Sequence, residues 1–164
     1  MDNYGDVGSS QIKFIDNMAD LVAYTYNHCS KFPKRYSGTF TNRILYNITL
    51  AQEYLEKAND IKIDFKFWKY GKTDATYEMY RKAYERRQEF FEATISSLKV
   101  VGKLLKIGKR MEIQELIEDK DKVLKEFTGR ILDEARLIRG VMKQDQRAFK
   151  RFSIAFGKDF SAYY

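Results

Sequence analysis

The segment TDATYEMYRKAYERRQEFFEATISSLKVVGKLLKIG, residues 73–108, decides the fold. Tyr77, Tyr84, Phe91, Leu98 and Leu105 recur every seven residues, flanked by Tyr80, Ala83, Phe90, Ile95, Val101 and Leu104. A repeat sustained over this length lays one apolar stripe along a single long helix. Thr73-Asp74 supplies a start signal and Gly108 reads as the residue just past the end, so the helix is expected to run to about Ile107.

On its N-terminal side, HCSKFPKRYSGTFTNRILYNITLAQEYLEKAND (28–60) holds the only histidine, cysteine and proline of the chain. Pro33 biases Phe32 away from the helical region and should stop a first helix that begins after Ser9-Ser10. That helix carries the stripe Ile12, Ile15, Ala19, Val22, Tyr26 and Cys29. A second helix, capped by Thr39 or Thr41, carries Phe40, Ile44, Ile48, Ala51, Leu55 and Ala58. Residues 61–72, IKIDFKFWKYGK, alternate with a period near two but have no strand to pair with, and are expected as an ordered aromatic linker. A fourth helix from about Glu112 carries Ile113, Leu116, Leu124, Phe127, Ile131, Ile138 and Val141, with a kink or close contact expected at Gly129 or Gly140. The fold class is therefore all-α: an up-down-up-down four-helix bundle over residues 9–142, followed by an aromatic and basic C-terminal extension, 143–164, helical in part. Gly157 argues against one rigid helix through that extension.

The chain of 164 residues is long enough for one domain with a substantial core. A net charge of +7 suits an acidic partner, whether nucleic acid, an anionic membrane surface or an acidic protein; a merely solvated basic face is the plainer reading. The lone Cys29 excludes an intrachain disulfide and fits a reducing compartment. The first residues show no leader pattern and no apolar run approaches a membrane span, so a cytoplasmic chain without membrane partners is expected.

Little in the sequence suggests catalysis. Glu89 with Glu92, and Glu115 with Glu118, have ligand-like spacing, but no Glu-x-x-His pair accompanies them, and solvated carboxylates are expected instead of a metal site. His28 and Cys29 diverge by about 100° on a helix and cannot act as base and nucleophile by themselves. No phosphate-binding glycine loop is present, and no enzyme activity or cofactor is expected. The cations are more informative. Arg81, Lys82, Arg86 and Arg87 cluster among tyrosines, with Arg81 and Lys82 spaced to pair with Glu85. Lys99, Lys103 and Lys106 form one stripe that Lys109 and Arg110 continue, and Lys31, Lys34, Arg35, Arg43 and Arg130 complete the candidate nucleic-acid-binding set. Such a surface would touch phosphates without reading bases. In the tail, Phe149, Phe152, Phe156 and Phe160 share a helical face and are candidates for docking a partner, or for folding back on the bundle.

The Pro-Lys-Arg corner, the threonine-capped start, Asn-Arg-Ile-Leu, the stripe ending in Glu-Lys-Ala-Asn, and the later LKVVGKLLKIGKRMEIQELIEDKDKVLKEFTGRI carry a family pattern. Over about residues 12–142 the chain resembles the accessory variability determinant family of diversity-generating retroelements. It is equally similar to the four-helix-bundle proteins encoded by intervening sequences in 23S ribosomal RNA genes, whose role is unknown. The first resemblance implies a basic homopentameric barrel that binds a reverse transcriptase and its template RNA and supports mutagenic cDNA synthesis. By it, Lys31, Lys34, Arg35 and the lysines and arginines of the helices would face RNA, or an RNA/DNA hybrid.

Overall fold

The computed structural model describes residues 6–63 and 71–158, with side chains described from residue 13 onward. Four α-helices account for almost all of these residues: α1 (Asp6–Cys29), α2 (Asn42–Asp60), α3 (Asp74–Arg110) and α4 (Gln114–Ala155). No strand occurs among the described residues. The α2 helix packs on α1 and α3, and α4 packs on α3 and α1, around one shared apolar core. No helix among the described residues is long and apolar enough to cross a membrane.

The seven-residue line of α3 is the spine of that core, with Phe91, Leu98 and Leu105 fully enclosed in it, while Tyr77, nearly enclosed, belongs to a separate cluster. The expected α2 stripe, Phe40 to Ala58, is likewise buried throughout. In α1 the helix starts at Asp6, ahead of Ser9-Ser10, and the stripe is rotated from the expected one. Phe14, Met18, Leu21, Thr25 and Cys29 are buried, Ile15 and Val22 flank them, and Ala19 and Tyr26 face outward. The polar Thr25 conceals this register in the sequence. Its hydroxyl donates to the Leu21 carbonyl at 2.7 Å, which lets it sit in the core without an unmet hydrogen bond.

Pro33 closes α1 as expected, and a 3₁₀ turn, Lys34–Tyr36, and a π turn, Ser37–Thr41, then lead straight into α2. Thr41 occupies the cap position but is already helical and makes no capping hydrogen bond, because the π turn satisfies the entry. At α3 the expected cap is present: Thr73 Oγ1 accepts from the Thr76 amide at 3.1 Å.

Gly108 is not the residue past the end of α3. Ile113 N–H donates to the Gly108 carbonyl and Glu112 N–H to that of Lys109, a Schellman closure in which Glu112, at φ 56°, takes the left-handed position. Gly108 sits one turn earlier, where a Cβ would lie 2.6 Å from Leu116 Cδ1 and 3.0 Å from Phe40 Cζ. Close approach between elements, not backbone conformation, is what a side chain there would disturb: Leu116 and Phe40 would have to shift.

The fourth helix is broken, but not at a glycine. Glu118 is extended, and Asp119, Lys120 and Asp121 take φ of 50°, 57° and 63° before the helix resumes. Space beside Gly129 and Gly140 is open, and the backbone stays helical through both. It also continues past residue 143 to Ala155 and ends in a second Schellman closure with Gly157 at φ 68°. Phe149 and Phe152 are buried against Tyr77 of α3, with Tyr80, Tyr84 and Phe156 packed around them. Of the two expectations for this face, Phe149 and Phe152 follow the second: they fold back on the bundle as a second core between α3 and α4 and do not form an exposed docking face. This second core follows from the same 3-4 spacing that suggested a docking face. Phe160, and most of the expected linker 61–72, lie outside the described residues.

Candidate nucleic-acid interface

The two longest runs of this chain without an acidic residue are 21–52 and 93–111. The first spans the end of α1, the corner and most of α2; the second is the C-terminal half of α3. The fold lays them side by side, because α2 packs along α3 and Phe40 of the π turn abuts Gly108 near the end of α3. They carry nine of the fourteen candidate cations: Lys31, Lys34, Arg35, Arg43, Lys99, Lys103, Lys106, Lys109 and Arg110. All nine side chains are exposed.

Lys99, Lys103, Lys106 and Arg110 lie in one row along about 16 Å of α3. Arg35 is laid over the Tyr36 ring at 4.8 Å, which orders the corner. Lys31 lies 3.6 Å from Glu115, and Lys109 pairs with Asp121 of the α4 break at 2.5 Å. Those two are partly neutralised, and the other seven have no ion pair among the described residues.

The remaining five candidates are set apart, and most are engaged. Arg87 is buried: it pairs with Asp145 at 2.6 Å and donates to the carbonyls of Ala58 and Ile61. It joins α2, α3 and α4 and is not available to a nucleic acid. Burial raises the Asp145 carboxyl's pKa, and the Arg87 charge opposes that shift. Arg81 is held between Glu78 and Glu85, both at 2.7 Å. Arg130 pairs with Glu126 at 3.0 Å and lies over the Tyr24 ring at 4.3 Å. Lys82 and Arg86 are exposed on the N-terminal half of α3, with Arg86 beside the Phe90 ring at 5.6 Å. These two share their surface with Glu85 and Glu89.

His28 is more than a helix end. Its Nδ1 lies 2.5 Å from Glu115 Oε1, both side chains are only 13% exposed, and the ring packs against Tyr24 and Phe127. Glu115 is therefore not a solvated carboxylate, whereas Glu89, Glu92 and Glu118 are exposed as expected. The pair ties α1 to α4 at the same end of the molecule as the corner. Burial pushes the Cys29 thiol up to about 12, which keeps it protonated and unreactive.

No local pattern in the sequence marks Glu134. It is 1% exposed in α4, neither carboxylate oxygen has a hydrogen-bond partner among the described residues, and burial pushes its pKa up to about 8. A groove between α3 and α4 is lined by Glu85, Glu89 and Glu92 opposite Arg139 and Lys143, a mixture of signs unsuited to a polyanion. No group of three or more metal-ligating side chains occurs among the described residues. No family model, curated protein or solved structure matches the chain.

Proposed function

We propose that this protein is a non-enzymatic RNA-binding accessory subunit of a reverse transcriptase, of the kind found in diversity-generating retroelements. In this reading the four helices form an up-down-up-down bundle, five copies assemble as a barrel, and the barrel holds template RNA or an RNA/DNA hybrid beside the polymerase. The observation that carries the reading is the juxtaposition of the acid-free runs 21–52 and 93–111, with nine exposed cations on them. A surface of one sign concentrates a polyanion far more effectively than the same charges interspersed with acids. The sequence resemblance supplies the identity of the polyanion and of the polymerase.

The test is RNA binding by the purified protein across a salt series, with oligomeric mass measured in the same buffer. Affinity should fall steeply with salt. Reversing Lys103, Lys106 and Arg110 to glutamate should weaken binding at least tenfold and flatten the salt dependence by roughly one unit of log–log slope per lost phosphate contact. Reversing Lys82 and Arg86 should do much less. Absence of RNA binding at low salt would refute the proposal. Pull-down of a reverse transcriptase encoded beside the gene tests the second partner.

A further inference from the structure

The corner surface carries aromatic rings as well as charge, and the α1 stripe explains why. Rotation of α1 puts Tyr26 outside the core, 49% exposed, and Tyr46 of α2 is 66% exposed, the highest of the large apolar side chains described. Tyr26 is not loose. Thr49 donates its hydroxyl proton to the Leu45 carbonyl at 2.8 Å, so in the 3.2 Å contact between Tyr26 and Thr49 the tyrosine must be the donor. This pins the Tyr26 ring across the seam between α1 and α2. Along α2, Arg43, Tyr46 and Thr49 follow at three-residue steps, each rising about 4.5 Å. A guanidinium, a ring and a second ring reaching over from α1 therefore form one short ladder. It lies wholly within the acid-free run 21–52.

We infer that this ladder is a single-strand binding platform, on which Tyr46 and Tyr26 stack unpaired bases while Arg43 and the corner cations Lys34 and Arg35 contact the backbone. The inference rests on the RNA-binding reading above and adds the form of nucleic acid recognised. Duplex RNA buries its base faces, so it can use the lysine row of α3 but gains nothing from exposed rings. A single strand offers bases for stacking, and each stacked base contributes without regard to sequence. The exposed rings thus make the surface selective for single-stranded segments, whereas the lysine row alone would not discriminate.

The test measures anisotropy of a labelled mixed-sequence 20-nucleotide RNA, single-stranded or annealed to its complement, with wild type, Tyr46→Ala, Tyr46→Phe and the Lys103/Lys106/Arg110 reversal. Wild type should prefer the single strand. Tyr46→Ala should weaken single-strand binding by about tenfold, leave duplex binding and the salt slope unchanged, and be rescued in Tyr46→Phe. The position is exposed, and circular dichroism checks that the variant folds. Unchanged single-strand affinity in a folded Tyr46→Ala protein would overturn the platform. If the triple reversal still abolished binding in that case, RNA binding by the lysine row would stand. No binding of either RNA by wild type at low salt would instead remove the RNA reading itself, and the platform with it.

Discussion

Glu134 makes the stability of this protein depend on pH in a window where few other groups act. Its carboxylate is enclosed and has no hydrogen-bond partner among the described residues, and burial pushes its pKa from 4.5 up to about 8. The folded chain therefore holds this proton more tightly than the unfolded chain. Between those two values the folded state carries more protons, and stability falls as pH rises. The shift from 4.5 to about 8 corresponds to about 5 kcal/mol once the group is ionised in both states, and to about 3 kcal/mol at pH 7. Below pH 4.5 this loss vanishes.

Urea unfolding followed by circular dichroism, at half-unit steps from pH 4.5 to 9, reads this directly when Glu134→Gln and Glu134→Leu are run beside wild type. The difference between proteins cancels groups common to all three, including Asp145, whose raised pKa acts in the same direction. The wild-type curve should fall by about 3 kcal/mol relative to either variant between pH 4.5 and 7. Glu134→Leu should be the most stable at pH 7, because a buried glutamine still costs about 1–3 kcal/mol for its unpaired amide. Parallel pH profiles for wild type and Glu134→Gln would show that the carboxylate is solvated or paired, and the reasoning would fail.

Two further outcomes test how the helices are held together. Arg87→Met should destabilise by about 3–5 kcal/mol in urea, because Asp145 and the Ala58 and Ile61 carbonyls lose their buried partner. Acid should restore part of that loss as Asp145 protonates, and an unaltered midpoint would show that the pair is not enclosed. Gly108→Val should cost about 2 kcal/mol or more in thermal or urea unfolding, since its Cβ would lie 2.6 Å from Leu116 Cδ1. Wild-type stability in that variant would mean that α3 and the π turn do not meet as described.

What could be read from the sequence follows from how local each signal is. The α3 repeat and the α2 stripe were legible because every position in them is apolar and the period is unbroken. The α1 register was not, because Thr25 is buried with its hydroxyl bonded to its own helix while the more apolar-looking Tyr26 is turned out. Gly108 reads as a helix end because a left-handed glycine is the usual terminator, yet Glu112 holds that position here. The break at Glu118–Asp121 has no glycine or proline to announce it, and Asp121 is held there by Lys109. Of the candidate site, the exposed lysine row follows from helical spacing alone. The burial of Arg87 depends on Asp145, 58 residues away, and that of His28 on Glu115, 87 residues away. No local pattern carries such pairings.

The net charge of +7 is a poor measure of what this surface can attract, because the fold sorts the charges that composition averages. Arg81, Arg87 and Arg130 add to the total while facing carboxylates, whereas Lys99, Lys103 and Lys106 have no ion pair among the described residues. A charge swap separates the two descriptions. Lys103→Glu combined with Glu89→Lys leaves the net charge unchanged because the two reversals cancel, and both side chains are exposed positions on α3. If local sign governs binding, the double variant should lose nearly as much RNA affinity as Lys103→Glu alone, severalfold at low salt. Recovery of wild-type affinity on adding Glu89→Lys would mean that the protein attracts RNA through its overall charge, and the arrangement of the acid-free runs would then have no functional part.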